Sequence, residues 1–227
     1  GLGGIAVTPD PELAARLRTI EARAAPPRQG EVWNLALLLR VRRIFARPES
    51  FALAAGAYRV LTRRRLVVGS SEIEETTGTE RPADFLKGIA GTQARVGLRE
   101  IGRVDEHNRH RRSIAAIYTR ALADMGIEPP AEPSYAEHTY LKYPVFVEKR
   151  DELLAKAASR GLAFSDWFRS PIHPIASGWE KWGYVAGSNP VGEEKSARAV
   201  NLPTQPGVTQ EYASRVVEFL KAHRDWL

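Results

Sequence analysis

Thr92-Gln93-Ala94-Arg95-Val96-Gly97-Leu98, continued by Val104-Asp105-Glu106-His107-Asn108-Arg109-His110-Arg111-Arg112-Ser113-Ile114-Ala115-Ala116-Ile117-Tyr118, is the stretch on which the fold turns. Leu98, Ile101 and Val104, then Ile114, Ile117, Ala121 and Leu122, recur at spacings of three and four, which marks a helix with one apolar stripe. Asp105 and Arg109 stand at the i,i+4 spacing that favours an ion pair. The pattern predicts one long helix between Asp84 and Met125. At 1.5 Å per residue, about 30 residues span roughly 45 Å, enough to link two structural layers.

Outward from this helix, Gly4 to Val7 reads as a short strand and Pro9 to Arg23 as a helix capped by Asp10, with Pro11 at its first position. The run Ala24 to Gly30 breaks it. Two apolar and basic helices follow, Val32 to Ala46 and Glu49 to Thr62, with Pro48 between them. The polar stretch Ser70 to Pro82 reads as loop, after a short strand at Leu66 to Val68. Beyond Pro129-Pro130, Thr139 to Glu148 alternates as a strand, and Arg150 to Arg160 is a helix closed by Gly161 in the left-handed conformation. Leu162 to Trp167 is a second strand, Ser170 to Gly192 is irregular, and Glu193 to Ala199 is a short helix. Val200 to Pro203 makes a third strand, and Thr209 caps a last helix carrying Tyr212, Val216, Val217 and Leu220. This order predicts an α/β architecture: a small antiparallel or mixed sheet covered by helices, plus a helical insertion.

Composition narrows the function. With 227 residues and 43% hydrophobic content the chain can bury an ordinary core. The absence of cysteine excludes disulfides, thiolate metal sites and a cysteine nucleophile, and agrees with a cytoplasmic location. No apolar run approaches the roughly 20 residues of a spanning helix, and no signal peptide is visible. No nucleotide-binding glycine motif, Walker A run or HExxH occurs, so no metal site and no self-contained catalytic centre is expected. The paired acids Glu74-Glu75 and Glu193-Glu194 read as solvated faces.

The quoted run resembles the "QA-x-x-GL … R-x-x-A-x-x-Y" helix of the sugar aminotransferases named after DegT, DnrJ and StrS, through Gln93-Ala94, Gly97-Leu98, Arg112, Ala115 and Tyr118. Gly1-Leu2-Gly3-Gly4-Ile5-Ala6-Val7-Thr8-Pro9-Asp10 resembles that family's "G-x-GG-x-x-x-T-x-D" stretch, which lies a few residues after the Schiff-base lysine. The resemblance reaches to about Leu220. It implies the C-terminal part of a fold-type-I enzyme that uses pyridoxal phosphate, held mainly by residues outside this chain, with the lysine upstream. It also implies a keto-sugar substrate, most simply nucleotide-linked, an amino donor and a homodimer. Residues 1–31 would close the large domain, 32–83 form the insertion and loop, and 84–227 the linking helix and small domain.

Site residues carry over one by one. The run Asp166-Trp167-Phe168-Arg169-Ser170-Pro171-Ile172-His173-Pro174 resembles the family's "HY-x-x-P-x-H" at Pro171 and His173, while Trp167 departs from it. The resemblance makes Trp167 and His173 the candidate substrate-binding residues; a histidine satisfied by loop backbone is the competing reading of His173. No catalytic residue is assigned and the cofactor-binding residues are unknown. At the positions of the family's phosphate-reaching asparagine and of its arginine stand Leu86 and Gly88, so that contact does not carry over, and Lys87 is expected to be solvated. Asn201-Leu202-Pro203-Thr204 resembles "LP-x-H", with Gln205 near the histidine position; it reads as a strand ending at a sheet edge. His138, Tyr140 and Tyr143 match "H-x-Y-x-x-Y/F" and read as packing aromatics.

Between Val32 and Val68, eight arginines face one acid, Glu49, a balance of +7, while the rest of the chain stands at −1. With Trp33 and a leucine-rich helix, this segment suits a hairpin packed on its own protein or dimer mate, or one lying in lipid headgroups as a peripheral membrane contact through 32–68. Nucleic-acid binding is not expected, since no reading motif accompanies the arginines. The alternative to the enzyme is a non-catalytic remnant whose basic hairpin binds a membrane surface or a protein.

Overall fold

A computed structural model describes residues 4–45, 78–80 and 85–227. The expected helix Glu49 to Thr62, the strand Leu66 to Val68, most of the 70–82 loop and most of the arginine-rich segment lie outside them. In chain order the described helices are α1 (Pro11–Glu21), α2 (Gln29–Phe45), α3 (Gly91–Ile101), α4 (Val104–Asp124), α5 (Arg150–Ser159), α6 (Pro190–Arg198) and α7 (Gln210–Lys221). The strands are β1 (Tyr143–Phe146) and β2 (Ala199–Leu202), and short 3-10 turns cover Trp179–Trp182 and Arg224–Trp226. Two compact units result: 4–44 with 78–80 and 85–103, and 104–227.

The second unit has the core. β1 and β2 pair antiparallel, with Tyr143 opposite Leu202 and Phe146 opposite Ala199. Tyr118 and Ile114 from α4, Tyr143, Leu153, Leu202, and Val216 and Leu220 from α7 are all fully buried. Each such aliphatic side chain is worth about 1.5–3 kcal/mol on burial, so this cluster dominates the unit's stability. The two tyrosine hydroxyls of the core are paired: that of Tyr118 donates to the Pro203 carbonyl at 2.9 Å, and those of Thr119 and Tyr143 meet at 2.9 Å. Local signals hold as expected. Thr209 Oγ1 accepts from the Tyr212 amide at 3.1 Å. After α5, Gly161 at φ +70° lets its amide reach the Ala158 carbonyl and the Leu162 amide reach that of Ala157, the double bond of a Schellman end.

Several expectations fail, some for a local reason and some because a residue distant in sequence decides. The long helix is two: a turn at Gly102-Arg103 separates α3 from α4, where glycine weakens the helix and Arg103 bonds back only three residues, to Glu100. Among the described residues no ion pair joins Asp105 to Arg109. Gly4 to Val7 is not a strand; no described residue pairs with it, and Ile5 and Val7 are exposed. Leu162 to Trp167 supplies only an isolated bridge at Ser165, because the Leu162 amide is used by the helix end and the Ala163 amide donates to the Tyr212 hydroxyl at 2.6 Å. That bridge puts β2 between β1 and Ser165, so β2 is interior and wholly buried, not an edge. Pro203 lies just past it and costs no ladder donor.

The first unit carries α1, capped by Asp10 as expected through bonds from the Glu12 and Leu13 amides, together with α2 and α3. None of α1 or α3 is buried. Lys87 is exposed, as expected, and forms a surface ion pair with Glu31 at 3.1 Å.

Candidate functional site

The loop after α5 is fastened to the sheet at its start. Ser165 exchanges both backbone hydrogen bonds with Asn201, at 3.1 and 2.7 Å. The buried Asn201 side chain then donates to the Trp167 carbonyl. Trp167 and Phe168 stack with centroids 5.7 Å apart, and His173 stands edge-on to both, at 5.9 and 5.2 Å. The structure thus brings the two candidate residues together, and adds Phe168, which is 61% exposed. Lys142, from the residue before β1, places its ammonium 5.4 Å from the Trp167 ring centroid.

Two polar atoms in this loop lack partners within the protein. Ser170 is 3% exposed and its hydroxyl is unbonded, and His173 Nδ1 is buried and unbonded. His173 is therefore not satisfied by loop backbone at that nitrogen. Burial lowers its pKa, Arg169 adds to the effect and Asp166 opposes it, so the ring favours the neutral form. A neutral imidazole and a hydroxyl, each with a buried atom that has no partner in the protein, thus lie in the same loop as the exposed Trp167–Phe168 stack.

Two flanking networks hold the surroundings. Arg112, from the run quoted above, pairs with Glu137 at 2.5 Å and Glu132 at 3.6 Å and donates to the His138 carbonyl at 3.2 Å. Glu132 also accepts from the His138 amide at 2.7 Å and the Tyr140 hydroxyl at 3.0 Å, which holds its carboxyl below the usual range. Tyr140 in turn stacks on Tyr143 at 5.6 Å, as the aromatic reading expects. Glu193 is partly exposed and accepts from the Tyr184 hydroxyl at 2.6 Å and the Gly187 amide at 2.7 Å, and these bonds depress its pKa. Its neighbour Glu194 binds Arg198 at 2.9 Å, so the two do not act as an acid and base pair. Sequence reading missed Lys142, Ser170 and Glu193, whose partners lie in other loops or are absent from the protein, and no local spacing marks them.

Among the described residues no group of histidines and acids could hold a metal ion. No described helix is long and apolar enough to cross a membrane.

Comparison with known proteins falls on this same region. A profile of the DegT/DnrJ/EryC1/StrS aminotransferase family matches residues 84–221, more than half of the chain. The chain is 27% identical over 164 residues to the dTDP-3-amino-3,4,6-trideoxy-alpha-D-glucose transaminase of Micromonospora megalomicea subsp. nigra, covering 70% of this chain and 43% of that protein. It is 28% identical over 153 residues to the transaminase of the same name from Streptomyces venezuelae, covering 67% and 38%. Among solved structures, DesV of S. venezuelae superposes with a TM-score of 0.54 at 23% identity, over 68% of this chain and 43% of that one. A DegT DnrJ EryC1 StrS aminotransferase from Brucella abortus gives 0.51 at 21% identity, over 65% and 40%. These superpositions show the fold, and the chain spans about two fifths of the length of the relatives it matches.

Proposed function

The chain belongs to the DegT/DnrJ/EryC1/StrS aminotransferase family, and from that premise we propose that it is the C-terminal portion of a pyridoxal-phosphate enzyme of amino-sugar biosynthesis, which transfers an amino group to a nucleotide-linked keto-sugar. The observation that carries this reading is the family match over 84–221, which encloses α4, both strands and the loop with Trp167 and His173. The transaminases named above are relatives in the same sense. In this reading 1–31 end the large domain, 32–83 are an insertion and 84–227 the linking helices and small domain. A homodimer in the cytoplasm and an amino donor such as glutamate complete it. The alternative of a bare interaction module has no comparable support.

The described residues do not by themselves fit the cofactor. Pyridoxal phosphate needs a lysine amine for a covalent bond, an acid against its ring nitrogen and donors around its phosphate. The buried polar residues described are Ser170, Ser196, Asn201 and Thr204, with no carboxylate and no amine among them. What the loop does fit is the substrate side of a pocket. Trp167 and Phe168 offer an exposed apolar wall to a sugar face, and the His173 ring packed edge-on against both holds that wall in place.

Amino transfer from glutamate to a dTDP-linked keto-sugar by the full-length protein tests this. His173→Ala and Trp167→Ala should each raise KM for the sugar about tenfold and leave KM for glutamate nearly unchanged. Unaltered KM in both variants would remove these residues from the site, and no transfer by the wild-type protein would remove the function.

A further inference from the structure

Lys142 is the residue beside this loop that neither the sequence pattern nor the family match singles out. It directly precedes Tyr143, which is fully buried in the sheet, and its own side chain reaches the surface. Its ammonium lies over Trp167 and no described acid is within ion-pair distance of it. Lys195 and Lys221 of the same unit pair with Glu194 and Glu218, while Lys149 and Lys156 lie over Trp226, away from the candidate loop. The one arginine of the loop, Arg169, is engaged by Asp166 at 3.7 Å. An uncompensated cation is thus held against the aromatic group whose loop also buries the unbonded Ser170 hydroxyl and His173 Nδ1.

We propose that Lys142 is a substrate-recognition residue that receives a phosphate oxygen, placing the phosphate-bearing end of the substrate beside Trp167. This deepens the reading given under Proposed function and rests on it, since a nucleotide-linked sugar carries a diphosphate. A lysine is a compact point charge with three donors and suits a phosphate, whereas flat two-point recognition of a carboxylate is the strength of arginine. Partial removal from water lowers the pKa of Lys142, and an arriving anion offsets that cost by favouring the charged form.

Calorimetric titration of the protein with inorganic pyrophosphate, beside glutarate as a dicarboxylate control, tests the assignment. Pyrophosphate should bind, Lys142→Met should weaken it about tenfold, and Lys142→Arg should keep most of the affinity. Thermal unfolding of Lys142→Met should match wild type, separating recognition from a packing role on Trp167. Equal pyrophosphate affinity in wild type and Lys142→Met would overturn the proposal, as would binding of glutarate alone. The titration needs no amino transfer, so its failure with active enzyme refutes only Lys142, and its success with inactive protein refutes only the enzymatic reading.

Discussion

The two units of this chain are written in the same sequence dialect and end in opposite states. In 104–227 the periodic apolar residues close into a core in which Tyr118, Leu153, Leu202 and Leu220 have essentially no contact with solvent. In the other unit only Ala90 is a buried hydrophobic residue among those described. There Leu98, with the same helical spacing as Ile114, is 74% exposed. Ile5, Leu39, Ile89, Val96 and Ile101 line an open apolar cleft of about 530 Å³. Periodicity therefore states which face of a helix is apolar, while burial requires a second element to cover that face. The candidate site follows the covered unit, because only a fixed sheet can hold Ser165, Asn201 and Trp167 in register.

The largest expected effect breaks the two units apart by truncation of equivalent leucines. Leu220→Ala should cost about 2–5 kcal/mol in urea unfolding, through lost burial and the cavity left behind. Leu98→Ala in the same 227-residue chain should stay within about 0.5 kcal/mol, as for other exposed positions. A cost above 2 kcal/mol at Leu98 would show that its face is covered and would erase the contrast.

Helix caps sharpen the comparison at a smaller scale. Thr209→Ala removes the acceptor for the Tyr212 amide and should lower the stability of the second unit by about 1 kcal/mol. Asp10→Ala removes an equally well-formed cap from α1, which buries no residue, so it should fray α1 in hydrogen exchange without moving the main unfolding transition. Equal shifts of that transition would mean that the two units unfold together.

The smallest effect is electrostatic. His173 has a pKa lowered by burial, so protonation favours the unfolded chain. Its contribution to stability is present above the ordinary histidine pKa and is lost as pH falls from there through the lower folded value. An NMR titration should find the His173 midpoint below that of an unstructured histidine, and a midpoint above it would contradict the buried, unbonded ring described for the loop.

Much of the second unit was legible beforehand, because its signals are local. The Thr209 cap, the Gly161 helix end, the strand at Tyr143 to Phe146 and the apolar face of Tyr212, Val216, Val217 and Leu220 each sit within a few residues of their cause. Apart from the local break at Gly102, the sheet was misread where a partner distant in sequence decides. Whether Leu162 to Trp167 becomes a strand depends on the Tyr212 hydroxyl, and whether Pro203 marks an edge depends on Ser165. In the site, His173 and Trp167 were reachable through family resemblance, whereas Lys142 and Ser170 gain meaning only from what surrounds them in space. The donors to Glu193, Tyr184 and the Gly187 amide, belong to an irregular loop whose course no local spacing announces.

In the proposed reading these residues shape a substrate site while the cofactor is bonded elsewhere in the enzyme. Borohydride reduction of the full-length protein loaded with pyridoxal phosphate, followed by peptide mass spectrometry, tests it most directly. The prediction is a single pyridoxyl-lysine outside residues 1–227, with the 227-residue polypeptide alone retaining no cofactor after dialysis. A stoichiometric pyridoxyl group on Lys142, or on any other lysine within 1–227, would contradict it.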